Sequence, residues 1–216
     1  MNILSNIAVI FDMDGVLVDN SAYHQRAFRE YFKDLGGKEF TLEMFGKSNE
    51  DIMKQMFSDI SLEQIKKYSA EKEAHYRQIY KPHMKPLDGL IDLLKLLKSN
   101  NIKTAIGSSA PSSNVDFVID GLNIRQYFDQ IVDSEGVEKA KPAPDIYIKA
   151  AKLLKIDPSN CVVFEDAIAG IEAARSAEMK VVGVATTLNY NELTYTDSRI
   201  HDFTAVNVDF ICRLFE

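Results

Sequence analysis

The chain has 216 residues, 46% of them hydrophobic and 26% charged, with a formal net charge of −7. This suits one large or two modest globular units with a sizeable core, and the acidic balance argues against a nucleic-acid or anionic-membrane binder. Cys161 and Cys212 stand far apart in no metal-ligand spacing, Met1 to Ser5 lack the basic start of a signal peptide, and no apolar run approaches the roughly 20 residues of a membrane span, so a cytoplasmic location is expected.

Ile7 to Phe11 are five consecutive apolar residues, which predicts a short strand buried on both faces. The run is broken at once by Asp12-Met13-Asp14-Gly15. Two carboxylates that close repel unless a cation or a shared proton relieves them, so a divalent-metal site is expected in which at least one Asp also does chemistry. A calcium-binding EF-hand loop also opens Asp-x-Asp, but its glycine falls at the sixth position. Here Gly15 is the fourth residue and the flank is a strand.

Past Asp19-Asn20, Phe28, Tyr31, Phe32 and Leu35 share one helix face, and Gly36-Gly37 ends that helix. A second helix carries Met53, Met56, Phe57 and Ile60 on one face. A third is expected from Leu62 to Tyr80, with Lys and Glu on its outer side. Pro82 and Pro86 close this strandless block, which reads as a helical insertion.

From Pro86 onward helices and strands alternate. A helix on Leu90, Leu93, Leu94 and Leu97 precedes a strand at Lys103 to Gly107, and a helix at Val115 to Ile119 precedes a strand at Gln130 to Val132. Asp145 to Leu154 is a helix introduced by Pro142 and Pro144. Cys161 to Phe164 is a buried strand, Ala167 to Ala177 a helix, and Lys180 to Ala185 a further strand. An edge strand near Phe203 to Val206 and a helix from Val208 complete the pattern. Such alternation predicts an α/β fold, a parallel sheet with helices on both faces.

Ligands of open parallel sheets bind outside the carboxyl ends of the strands. The residues expected on that rim are Asp12 and Asp14, Ser108 and Ser109, Lys141 in the loop from Glu138 to Pro144, and Glu165 with Asp166. Singly, a serine there can be a helix cap, a lysine a solvated loop residue, and two acids the cap of the next helix. Jointly they make a set for phosphoryl transfer. Asp12 is ionised at neutral pH and can attack phosphorus without a base. Magnesium prefers oxygen ligands, which Asp12, the backbone carbonyl of Asp14 and Asp166 can supply, with Glu165 beside them. Lys141 and Ser108 would hold the phosphoryl oxygens, with Ser109 as a further substrate contact. Asp14 would protonate the leaving alcohol and later take a proton from water.

The motifs Asp12-Met13-Asp14-Gly15, Ser108, Lys141-Pro142-Ala143-Pro144-Asp145, and Glu165-Asp166 followed by Ala169-Gly170-Ile171 resemble the haloacid dehalogenase superfamily. Within it the chain is similar to the phosphatase and β-phosphoglucomutase branch, and the likeness covers nearly the whole chain. The resemblance implies a Rossmann-like core domain over 1–19 and 86–216 and a mobile helical cap domain over 20–85. It also implies magnesium dependence and an aspartyl-phosphate intermediate on Asp12. Dehalogenases of the superfamily lack the second Asp, so Asp14 implies phosphate chemistry.

Two activities stay open. His24 sits where the resembling mutases carry a histidine that helps gate Asp14, and Phe45-Gly46-Lys47-Ser48-Asn49-Glu50-Asp51 is similar to their specificity loop. Those mutases, however, carry an Arg at the place of Asn49 to grip a second phosphate, and a Lys-Asn pair at the place of Pro111-Ser112. A lysine late in their cap corresponds roughly to Gln78, with Arg77 beside it as a substitute. Losing a bidentate Arg anchor is a large change. These departures favour a phosphatase of a small, sugar-type monophosphate over a phosphomutase, with His24, Lys47, Asn49 and Arg77 as candidate cap contacts. From other classes, a phospho-receiver domain is disfavoured by the long insertion and by the Asp-x-Asp motif on the first strand, and a non-catalytic phosphosugar-binding protein by its complete catalytic set. The expected partner is a small phosphorylated substrate.

Overall fold

The computed structural model describes residues 6–33, 35, 38, 41, 44 and 47–216. Six strands form its sheet: β1 (Ala8–Phe11), β2 (Lys103–Gly107), β3 (Gln130–Val132), β4 (Cys161–Glu165), β5 (Lys180–Val184) and β6 (Ser198–Ile200). Their order is β3-β2-β1-β4-β5-β6 and all pairings are parallel. This is the doubly wound order, in which the winding reverses between β1 and β4. The register sets Phe11 opposite both Ile106 and Phe164. The residues following β1, β2 and β4 therefore leave the sheet at one level.

Among the described residues the helices inserted after β1 and ahead of Pro86 are α1 (Ser21–Phe32), α2 (Asn49–Met56) and α3 (Leu62–Tyr80). The others, α4 (Leu90–Ser99), α5 (Ser112–Gly121), α6 (Asp145–Leu154), α7 (Ile168–Ser176) and α8 (Val208–Arg213), cover the two faces of the sheet. Strand side chains alternate between faces. Val9 and Phe11 thus join the cluster with Leu90, Leu93, Leu97 and Val118. Ala8 and Ile10 join the opposite one with Tyr147, Ala150 and Ala173. The inserted helices enclose their own apolar cluster of Phe28, Phe32, Met44, Ile52, Met53, Met56 and Ile65. Ser61 starts α3 with a reciprocal capping box to Gln64, which satisfies two otherwise orphaned backbone donors.

Four sequence expectations are corrected. The edge strand is Ser198–Ile200, paired with β5, and not Phe203 to Val206. Ser-Arg-Ile carries too little apolar signal to read as a strand, whereas Phe203 is buried from a turn, its ring packed on Phe11 and Phe164. Helix α1 stops at Phe32, and Leu35 beyond it is exposed; Gly36-Gly37 lies outside the described residues. Helix α2 ends at Met56 because Phe57 turns extended (φ −129°, ψ 122°), so Phe57 and Ile60 meet the cluster from outside the helix. Finally, not every Lys and Glu of α3 faces outward, since Lys72 and Glu73 are 1% and 4% exposed. No described helix is long and apolar enough to cross a membrane.

Candidate active site

Asp12 follows β1 and its backbone N–H still donates to Phe164 in β4 (3.0 Å), so the carboxylate stands at the point where the winding reverses. Lys141 reaches it from the loop before α6. The ammonium donates to Asp12 Oδ1 and to Glu165 Oε1, each at 2.7 Å, and lies 4.8 Å from the centre of the Tyr147 ring. Tyr147 also donates its hydroxyl to Glu165 Oε1 (2.9 Å), while Glu165 Oε2 accepts the N–H groups of Asp166 (2.8 Å) and Ala167 (2.9 Å). A carboxylate has about four acceptor sites, and these bonds occupy those of Glu165. Glu165 is thereby fixed as the residue that orients Lys141.

Charge does not balance here. Asp12, Glu165 and Asp166 are buried with oxygens within 4.8 Å of one another, and among the described residues Lys141 is the one cation bonded to them. Burial pushes the Asp12 carboxyl up to about 7, with Glu165 and Asp14 adding to the rise and Lys141 opposing it. Burial, then Glu165 and Asp12, likewise raise Asp166 well above the carboxylate range. Burial alone would lower Lys141, but Asp12 and Glu165 hold it above the ordinary lysine range. A divalent cation among these oxygens would relieve the excess negative charge, so the donor set fits a hard metal ion. Two glycines make room for the cluster. A Cβ on Gly15, which has φ +80°, would sit 1.8 Å from Asp166 Oδ2, and one on Gly170 would sit 1.6 Å from Glu165 Oε1.

Asp14 is held apart from this group. Asn20, fully buried, donates through one amide nitrogen to Asp14 Oδ1 and to the Tyr76 hydroxyl, both at 2.6 Å, and its Oδ1 accepts from Gly15 N (3.2 Å). His24 Nε2 lies 3.4 Å from the same Asp14 oxygen, and its ring stacks on Tyr76 with centroids 3.8 Å apart. Ser108 is buried, its hydroxyl accepting from Ala110 N (3.1 Å).

A cavity of about 70 Å³ separates the sheet rim from the inserted helices. Its floor includes Asp12, Asp14, Ser108, Ser109 and Asp166, and its roof Lys47, Asn49, Lys72 and Glu73, with His24 at the side. Arg77 is not brought to the cavity. Its guanidinium donates to Asn114 Oδ1 (2.6 Å) and Ser113 Oγ (3.2 Å) at the start of α5. Gln78 is exposed. The lysine of α3 that lines the cavity is Lys72, about one and a half turns earlier.

Sequence reasoning missed Asn20, Tyr147, Lys72 and Glu73. Asn20 offered a faint signal, since it occupies an N-cap position where its side chain would ordinarily cap the helix and instead does not. Tyr147 read as one apolar residue of a helix. Lys72 and Glu73 looked like the solvated charges that fill most helix surfaces.

The fold and the site together define an α/β enzyme. A profile for the haloacid dehalogenase-like hydrolases matches residues 9–184, and the chain belongs to that family. The chain is similar to the phosphorylated carbohydrates phosphatase of Thermotoga maritima, 32% identical over 191 residues that cover 84% of this chain and 87% of that protein. Among solved structures, the β-phosphoglucomutase of Clostridium difficile matches with a TM-score of 0.85 at 30% identity, covering 96% of each chain. Protein SUPPRESSOR OF QUENCHING 1 of Arabidopsis thaliana is 34% identical over 84% of this chain, which spans only 18% of that longer protein.

Proposed function

We propose that the chain is a magnesium-dependent phosphatase of small phosphate monoesters of the sugar type, acting through an aspartyl-phosphate on Asp12, with α1–α3 as the cap. The observation that carries this reading is the pairing of Asp12, on the cavity floor, with the buried Lys141, while a second carboxylate, Asp14, is held separately by Asn20. In the first step an Asp12 oxygen attacks phosphorus and the ester oxygen leaves with a proton from Asp14. In the second, Asp14 takes a proton from water, whose oxygen attacks the same phosphorus and frees inorganic phosphate and the Asp12 carboxylate. Lys141 and the Ser108 hydroxyl orient the phosphoryl oxygens. Magnesium would be held by Asp12, Asp166 and the Asp14 carbonyl, and when bound it supplies positive charge between the carboxylates and the phosphate.

The phosphomutase reading is the alternative, favoured by the His24–Asp14 approach and by the likeness to a β-phosphoglucomutase. Against it, Asn49 and Arg77 are both engaged within the protein, with Glu73 and Asn114. The test is turnover of β-glucose 1-phosphate with magnesium and a trace of the 1,6-bisphosphate, reading glucose 6-phosphate and free phosphate together. Free phosphate, abolished by Asp12→Asn, supports the phosphatase, whereas glucose 6-phosphate as the main product overturns it.

A further inference from the structure

Among the described residues, Lys72 and Glu73 are the buried charged side chains that do not belong to the Asp12, Lys141, Glu165 and Asp166 cluster. Both line the cavity from the roof, beside the apolar Phe28 and Ile52. Glu73 Oε1 accepts from the Lys72 ammonium and from Asn49 Nδ2 (2.8 Å), and Oε2 accepts from Asn114 Nδ2 of α5 (2.6 Å). The ammonium also sits 4.2 Å from the centre of the Phe28 ring. A buried ion pair adds little net stability, because desolvation offsets the Coulomb gain and an apolar pair of the same volume does as well. Its place on a cavity wall calls for another explanation.

The donor and acceptor count points to one. Of the four acceptor sites of the Glu73 carboxylate three are taken, which leaves one on Oε2. Of the three ammonium protons of Lys72 one goes to Glu73 and one side is covered by Phe28, which leaves a donor. The pair is also neutral as a whole. Burial works to raise the Glu73 carboxyl, but Lys72, then His24, and the bonds from Lys72 and Asn49 bring it down to about 2. A surface with one donor, one acceptor and no net charge suits hydroxyl groups, each of which both donates and accepts. It does not suit a second phosphate, which offers acceptor oxygens and negative charge to a carboxylate that is already ionised.

We propose that Lys72 and Glu73 are the specificity-determining pair of the cap, reading uncharged hydroxyls on the alcohol part of a sugar or polyol monophosphate and turning away substrates with a second phosphate at that end. Lys72 donates to one hydroxyl oxygen and Glu73 accepts from a neighbouring hydroxyl. The assignment rests on the phosphatase reading above.

The test is kcat/KM over a panel of hexose and pentose monophosphates, the matching bisphosphates, and p-nitrophenyl phosphate, for the wild type, Lys72→Met, Glu73→Gln and Glu73→Asp. The quantity read is the ratio of the best sugar monophosphate to p-nitrophenyl phosphate, which does not depend on the fraction of folded enzyme. Glu73→Gln and Lys72→Met should each lower this ratio by about ten- to a hundredfold, the worth of a hydrogen bond to a charged group. Glu73→Asp should restore part of it, and the wild type should favour each monophosphate over its bisphosphate. An unmoved ratio, or a wild type that prefers the bisphosphate, overturns the proposal. If no ester releases phosphate, the phosphatase reading falls, and titration calorimetry on the Asp12→Asn protein decides the pair separately. Sugar monophosphate binding that weakens at least about tenfold on adding Glu73→Gln sustains it. Binding that Glu73→Gln leaves unchanged overturns it.

Discussion

Two buried lysines flank the site, Lys72 lining the cavity from its roof and Lys141 bonded to Asp12 of its floor, and their surroundings differ in one respect. Lys141 and Lys72 each sit over an aromatic ring, Tyr147 at 4.8 Å and Phe28 at 4.2 Å, and each bonds a carboxylate. Lys141 is outnumbered by Asp12, Glu165 and Asp166, whereas Lys72 is matched by Glu73 alone. The floor therefore carries excess negative charge that a cation would answer, whereas the buried Lys72–Glu73 pair of the roof is balanced within itself. On the proposed function, the acidic floor would serve the chemistry and the self-neutralised pair the recognition.

The comparison can be broken most directly on the floor. Asp12→Asn should lower turnover by about 10⁴-fold or more, as loss of a nucleophile does in other enzymes, while the far side of the cavity is untouched; steady-state phosphate release measures it. Next in size is the stability of the two lysine sites. Lys141→Met leaves buried carboxylates without their cation and should cost about 3–5 kcal/mol in denaturant unfolding, part of it recovered on adding magnesium. Lys72→Met should lose stability that magnesium does not restore. Equal recovery in both variants would erase the contrast.

Acid stability gives a smaller effect. The folded Glu73 carboxyl lies at about 2 against an ordinary 4.5, so it binds fewer protons folded than unfolded. Its contribution is complete above about pH 4.5 and is lost as pH falls toward 2, on the order of 3 kcal/mol. Unfolding curves of Glu73→Gln should accordingly fall less steeply than wild type across that window. The smallest effect expected is at Asn20, a positioning residue for Asp14. Asn20→Ala should lower kcat by about tenfold with KM little changed, and shift the acidic or basic limb of the kcat profile with pH, which a purely structural loss would leave in place.

What was legible in the sequence follows the same division. Each rim residue of the floor stands directly after a short apolar run or inside a proline-rich loop, so strand ends announce Asp12, Ser108 and Glu165 before any coordinates are known. A parallel sheet then has one place to put them. The roof has no such grammar. Lys72 and Glu73 lie in a 19-residue helix among other lysines and glutamates, and only the packing of α3 over the cavity distinguishes them from their solvated neighbours. The edge strand failed for a related reason. Backbone pairing with β5 makes Ser198–Ile200 a strand, and pairing leaves little trace in side-chain chemistry.

Helix α3 has a mechanical consequence. Lys72, Glu73, Tyr76 and Arg77 occupy about 7–8 Å of its axis, and a helix moves them as one rigid rod. Tyr76 receives the amide that steadies Asp14, Arg77 and Glu73 grip Asn114, and Lys72 looks into the cavity. Tilting the rod to admit a molecule must also withdraw Tyr76 from Asn20. On the proposed mechanism, seating the right alcohol and cocking Asp14 would then be a single motion, so an ill-fitting ester would be met by an enzyme that is not yet armed.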